Sequence, residues 1–106
     1  MREISLWEIL VPTIFGNNNK PVSTKHHKQW DKRVRDISDG LTILKPAKGQ
    51  WVDKSTNKLY EERIIPVRIA CTRPEIEKII NFTIKHYRQL AVMCYKISDE
   101  VIIEYA

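Results

Sequence analysis

The side chains best suited to chemistry in this 106-residue chain are carboxylates, one amide and a few aromatics, and they recur at the predicted ends of strands. They form a polar ring in the sequence: Gly40-Leu41-Thr42, Gly49-Gln50-Trp51, Tyr60-Glu61-Glu62 and Arg88-Gln89. On an extended chain, successive side chains alternate between faces. Glu62 therefore shares a face with Arg68, and Glu61 shares the other with Arg63. A carboxylate beside an open sheet face or a subunit seam can hold a cation; the bland alternative is a solvated strand end. Gln89 opens an apolar run, where its amide either reads a ligand or caps the preceding helix.

Several familiar chemistries lack their residues. The three glycines, Gly16, Gly40 and Gly49, fall in no phosphate-binding loop frame. No metal site is expected, because the adjacent His26 and His27 cannot both face one ion and His86 is far away in sequence. His27 shares a helical stripe with Trp30 and Val34 and reads as a packed or interface histidine, whereas His26 and His86 read as surface residues. Neither Cys71 nor Cys94 has a neighbouring base to activate it. An enzyme built from this sequence would rely on positioning and desolvation more than on acid–base groups.

These side chains need a scaffold. The apolar run from Glu3 to Phe15 predicts a long central strand, disturbed at Pro12 and ended by Gly16-Asn17-Asn18-Asn19. Ser23 is a good N-cap for an amphipathic helix over 24–37, ended by Asp39-Gly40. Leu41–Leu44 predicts a short strand, residues 45–50 a loop, and 53–57 a hairpin tip. A long strand over 59–71 follows, then a second helix opened by the capping box Thr72-Arg73-Pro74-Glu75. Phe82 lies off that helix's apolar stripe, which hints at a subunit contact. Leu90–Tyr95 predicts the last core strand, and Val101–Tyr105 an additional tail strand. The order is β-α-β-β-α-β, an α+β ferredoxin-like fold filling residues 1–106 as one domain. Right-handed crossovers place both helices on one sheet face. The other face is too apolar to stay bare, so self-association through it is expected.

Composition narrows the partners. Hydrophobic residues make up 42% of the chain, enough for a packed core, and no apolar run approaches the roughly 20 residues of a membrane span. The start of the chain lacks a signal-peptide pattern and the cysteines read as buried reduced thiols, so a cytoplasmic setting is expected. The net charge is +5, with much of the surplus between Lys20 and Arg35. Basic helices attract nucleic acid or smaller phosphate-bearing ligands, or merely serve solubility. Few aromatics interleave with these lysines, which makes a nucleic-acid partner the weaker expectation.

Gln89-Leu90-Ala91-Val92-Met93-Cys94-Tyr95-Lys96 resembles the last-strand segment of the phage S-adenosylmethionine lyases. Thr13-Ile14-Phe15 followed by Asn17, Asp39-Gly40-Leu41, and an acid ahead of Val67-Arg68-Ile69 look similar as well. The resemblance covers nearly the whole chain in order, through short and tolerant motifs. Asp39-Gly40-Leu41-Thr42 and Gly49-Gln50-Trp51 are also similar to a family of short bacterial domains without an assigned activity. The lyase resemblance implies a homotrimer with sites between subunits, and no cofactor. In such an enzyme the substrate's own carboxylate attacks its γ-carbon and expels methylthioadenosine, leaving homoserine lactone. It further implies Glu62 as the group that holds the cationic part of the substrate, with Gln89 supporting it. Tyr60 or Trp51 would be the aromatic beside the ligand, and Thr13, Phe15 and Arg68 would lie near it. Two extra residues between the acid and the strand keep Glu61 as a rival to Glu62. The basic side chains Lys25, Lys28, Lys32 and Arg35 would suit the adenylated, phosphate-bearing form of S-adenosylmethionine, a CRISPR second messenger. A trimeric nucleotide-binding sensor or sponge without turnover is the alternative.

Overall fold

The computed structural model describes residues 3–106. Its elements are β1 (Ser5–Pro12), α1 (Thr24–Ser38), β2 (Thr42–Ile43), β3 (Ala47–Asp53), β4 (Lys58–Cys71), α2 (Arg73–His86) and β5 (Cys94–Ser98). The five strands form one sheet in the order β2-β4-β1-β5, with β3 continuing the outer edge of β4. Every strand pairing is antiparallel. This is the α+β ferredoxin-like arrangement.

Alternation along the central strands builds the core. Trp7, Ile9 and Val11 of β1 stand opposite Ile69, Val67 and Ile65 of β4, and the helices cover that face. Trp30 and Val34 of α1 and Ile76 and Ile79 of α2 close it from above, with Tyr87 at the end of α2. Local chemistry sets the helix ends. The Ser23 hydroxyl accepts from the His26 amide at 3.1 Å, satisfying a donor that the first turn leaves open. At α2 the Thr72 hydroxyl accepts from the Glu75 amide while the Glu75 carboxylate accepts from the Thr72 amide at 2.9 Å.

The structure departs from the sequence expectations at four places. Residues 47–50 are strand and not loop: β3 pairs residue for residue with β4 from Ala47↔Ile64 to Asp53↔Lys58. The free edge of the long β4 demands a partner for its backbone groups, and Pro46 sits just outside that ladder, where it costs no hydrogen bond. β1 ends at Pro12, earlier than Phe15, and beyond it Ile14 forms only an isolated bridge with Pro21. The last strand begins at Cys94, because Arg88 adopts a left-handed backbone (φ 54°) and residues 90–93 run irregularly across the sheet end. Val101–Tyr105 is not a strand; β5 ends the sheet, and Ile102, Ile103 and Tyr105 are exposed.

Phe82, whose place off the helix stripe hinted at a subunit contact, has neighbours within the chain. It lies partly buried against the core, with the His86 ring 5.0 Å away and the Arg33 guanidinium 5.8 Å from its centre. No disulfide joins Cys71 and Cys94, and burial pushes the Cys94 thiol up to about 11. Among the described residues no helix is long and apolar enough to cross a membrane.

Candidate functional site

The β3–β4 hairpin brings four of the expected site residues together. Trp51 and Tyr60 pair across it, and their rings stack at 4.5 Å with 11° between planes. The Trp51 indole N–H donates to the Glu62 carboxylate at 3.0 Å. Trp51, Tyr60 and Glu62 thus form one surface, and Trp51 is 50% exposed, so its face is open to a ligand. The Lys58 ammonium lies 4.8 Å from the Tyr60 ring centre, which shows that this aromatic surface accepts a cation. Glu61 takes the opposite face, as alternation requires, where Gln50 donates to it at 2.7 Å and Lys48 lies 3.6 Å away. Both acids border a shallow groove of about 420 Å³ with Pro46, Ala47, Lys48 and Arg63.

A chain of contacts ties Gln89 to this end of the sheet. The Thr13 hydroxyl donates to the carbonyl of Arg63, the residue beside Glu62, at 2.7 Å. The Gln89 amide donates to the carbonyl of Ile14, the residue beside Thr13, at 3.1 Å and to that of Tyr87 at 3.3 Å. Gln89 is therefore a helix cap and a clamp on the end of β1, and it makes no direct contact with Glu62 in the chain. Phe15 lies apart from Glu62. It packs edge-on against His26 at 4.9 Å, with the Arg88 guanidinium over its other side at 5.6 Å.

Gly16 lets this junction close. Its amide donates to the Tyr87 carbonyl at 3.1 Å. A Cβ here would clash with the Arg88 carbonyl oxygen and stand 3.1 Å from the Gln89 Cα. Both obstacles are backbone, which moves only with the whole junction. Gly16→Ala is expected to destabilise the fold by about 1–3 kcal/mol, the usual range for overpacking, read from the urea midpoint.

Arg68 belongs to a cluster that the sequence reading missed. On the sheet face away from the helices, Glu8 of β1 lies opposite Arg68 of β4 and Tyr95 of β5. Glu8 is only 7% exposed; the Arg68 Nε–H donates to it at 3.1 Å and the Tyr95 hydroxyl donates to its other oxygen. The Tyr95 bond, helped by Arg68, holds the Glu8 carboxyl below the ordinary carboxylate range in spite of burial, and the same bond pushes the Tyr95 hydroxyl up. The available signal was Glu8 itself, a lone acid between Trp7 and Ile9 in a central strand. Tyr95 stood in the segment that resembles the lyases' last strand, but nothing near it in sequence pointed to Glu8.

His26 and His86, expected at the surface, are half-buried and stacked at 3.7 Å with 13° between planes. Each ring's Nε2–H donates to the other residue's carbonyl, at 2.7 and 2.8 Å, which joins the start of α1 to the end of α2. His27 is packed, as expected, and its Nδ1 shares a 2.7 Å hydrogen bond with the Tyr87 hydroxyl. Burial lowers the pKa of both His27 and His86; like charge on the other histidines adds to this, and Asp31 opposes it at His27. A group depressed in the folded state stabilises the fold above its unfolded pKa, about 6.5, and loses that contribution as pH falls through its folded value. The urea midpoint is accordingly expected to drop between pH 7.5 and 5.5, and to drop less in a His27→Gln/His86→Gln double variant. No group of three or more metal-ligating side chains occurs among the described residues.

No protein-family model and no curated protein matches the sequence. Solved structures do match in shape. CutA1 from a psychrotrophic Shewanella bacterium aligns with a TM-score of 0.68 at 10% identity, over 98% of this chain and 86% of that one. The divalent cation tolerance protein of Thermus thermophilus gives 0.65 at 10% identity, over 97% and 87%. A phage SAM lyase in complex with S-methyl-5'-thioadenosine gives 0.64 at 10% identity, over 92% of each chain. At such identities the likeness is one of fold: the chain has the ferredoxin-like fold seen both in CutA1 proteins and in a phage SAM lyase.

Proposed function

We propose that this protein is a lyase acting on S-adenosylmethionine or its adenylated derivative, working as a homotrimer. The observation that carries the reading is the surface made by Glu62, Trp51 and Tyr60. A sulfonium bears a fixed positive charge and a large apolar body. It is matched by a carboxylate beside a stacked aromatic pair, where Coulomb attraction and the ring quadrupole act together. Glu62 sits within hydrogen-bond reach of Trp51 and so keeps a defined orientation. Of the two rival acids, Glu62 shares the aromatic face and Glu61 does not, which favours Glu62.

The reaction needs little from the protein. A substrate carboxylate oxygen attacks the γ-carbon, the carbon–sulfur bond breaks with its electron pair going to sulfur, and the sulfonium leaves as a neutral thioether. Charge is neutralised along the path, so a site that excludes water and folds the substrate onto itself lowers the barrier without an enzymatic nucleophile. Gln89, through Ile14, would hold the sheet end on which the substrate rests. The basic outer side of α1 would favour the phosphate-bearing form through long-range attraction.

The second reading is a trimeric nucleotide-binding sensor or sponge without turnover; what keeps it open is that the same fold occurs in proteins named for divalent cation tolerance as well as in a lyase. Incubating the purified protein with each compound and following the methylthioadenosine product by chromatography tests the first reading. A thermal shift with ligand but no product would favour the second; a ligand at 100 times its dissociation constant adds about 2.7 kcal/mol. A folded protein that neither consumes nor binds either compound refutes both.

A further inference from the structure

A second cleft lies on the helix side of the sheet, away from Glu62; it shares only Lys28 with the basic side of α1 and needs no lyase activity. It exists because β2 is two residues long and α1 does not reach over it. Ile43, opposite Val67 and so on the core side of the sheet, is left 52% exposed. The overhang encloses about 230 Å³, with a floor that includes Ile43, Ile65 and Val67 and a rim that includes His27, Lys28 and Asp31. An apolar floor under a few polar groups is the usual build of a small-molecule site.

The rim carries opposite charges, and among the described residues neither is held by a direct contact. Lys28 and Asp31 are three residues apart on one helix face, close enough to meet. Yet among the described residues neither appears in a side-chain hydrogen bond or an ion pair within 4 Å. Asp31 is half-buried, and burial raises its carboxyl above the ordinary range against the pull of Arg35, His27 and Lys28. A desolvated carboxylate gains most from a cation brought to it. His27 already bonds Tyr87 through Nδ1, which leaves its other ring nitrogen for a ligand.

We propose that this cleft binds a small apolar α-amino acid, its ammonium on Asp31, its carboxylate on Lys28 and its side chain over Ile43, Ile65 and Val67. One charge of each sign, three residues apart on one helix face beside an aliphatic floor, fits a zwitterion better than either ion alone. Titrating L-leucine and L-methionine into the full-length isotope-labelled protein and following its amide NMR signals tests this. Saturable shifts are expected for residues 27–31, 43, 65 and 67. Butylamine and isovalerate, each carrying one of the two charges, are expected to bind at least about tenfold more weakly. Asp31→Asn should weaken leucine binding by at least about tenfold, and Ile43→Trp should fill the cleft from its exposed edge and abolish binding with the fold intact. The proposal is overturned if neither amino acid gives a saturable shift up to ~10 mM, if butylamine or isovalerate binds as well as leucine, or if Asp31→Asn binds leucine as tightly as wild type.

Discussion

Glu62→Gln is expected to lower the lyase kcat/KM by about 100-fold or more, with the urea midpoint within about 0.5 kcal/mol of wild type. The substitution keeps an oxygen for the Trp51 indole to bond, so the hairpin loses no contact; what disappears is the negative charge. Glu62 is exposed and sits on the hairpin, away from the core, so the loss reports on the ligand and not on folding. Glu61→Gln removes the same charge from the opposite face and is expected to change turnover by less than about threefold. The split between kcat and KM decides what Glu62 does. If it holds the sulfonium equally in ground and transition states, KM rises with kcat unchanged; if it positions the reacting carbon, kcat falls. Equal losses from Glu61→Gln and Glu62→Gln would show that only general charge matters.

Trp30→Ala is expected to cost about 3–5 kcal/mol, the largest effect on stability of any single truncation proposed for this chain. Trp30 is 1% exposed and fills the space between α1, α2 and the sheet. Its indole N–H also donates to the Thr83 hydroxyl at 2.9 Å, and that hydroxyl in turn donates to the Ile79 carbonyl at 2.6 Å. Truncation leaves a large void and a buried hydroxyl without its donor, two costs that add. Against a total stability of about 5–15 kcal/mol for a typical domain, this removes between about a fifth and all of it. Trp30→Phe keeps most of the volume and loses the donor, so its urea midpoint should fall between the two. A Trp30→Ala midpoint close to wild type would mean that the two helices do not meet around this ring.

The two helices were legible because their signals are local. Ser23 and the Thr72–Glu75 box are complete within four residues, and apolar periodicity marks the face that each helix buries. β3 was not legible, since Pro46 and Gly49 carry turn signals while the force that makes 47–53 a strand is the unsatisfied edge of β4, distant in sequence. The same holds at the other edge. Arg88 and Gln89 turn the chain so that β5 starts late, and the tail finds no strand beyond it.

The candidate site divides in the same way. That Glu62 and Glu61 take opposite faces could be read from strand alternation, whereas Trp51 and Tyr60 as the ligand's aromatics came only with the lyase resemblance and are brought to Glu62 by the β3–β4 pairing. Gln89 was recognisable as a cap or a ligand reader, and its amide is used as a cap. Glu8 and Tyr95 lie 87 residues apart, and the stacked His26 and His86 lie 60 apart; only the register of β1 between β4 and β5 and the meeting of two helix ends bring them together.

The most direct test of the proposed lyase is the fate of S-adenosylmethionine incubated with the wild-type protein in ¹⁸O-labelled water, with the products weighed by mass spectrometry at early times. Methylthioadenosine together with homoserine lactone carrying no label is the expected result, because the attacking oxygen comes from the substrate's own carboxylate. Unchanged substrate with folded protein, or label in the first-formed homoserine product, would contradict it.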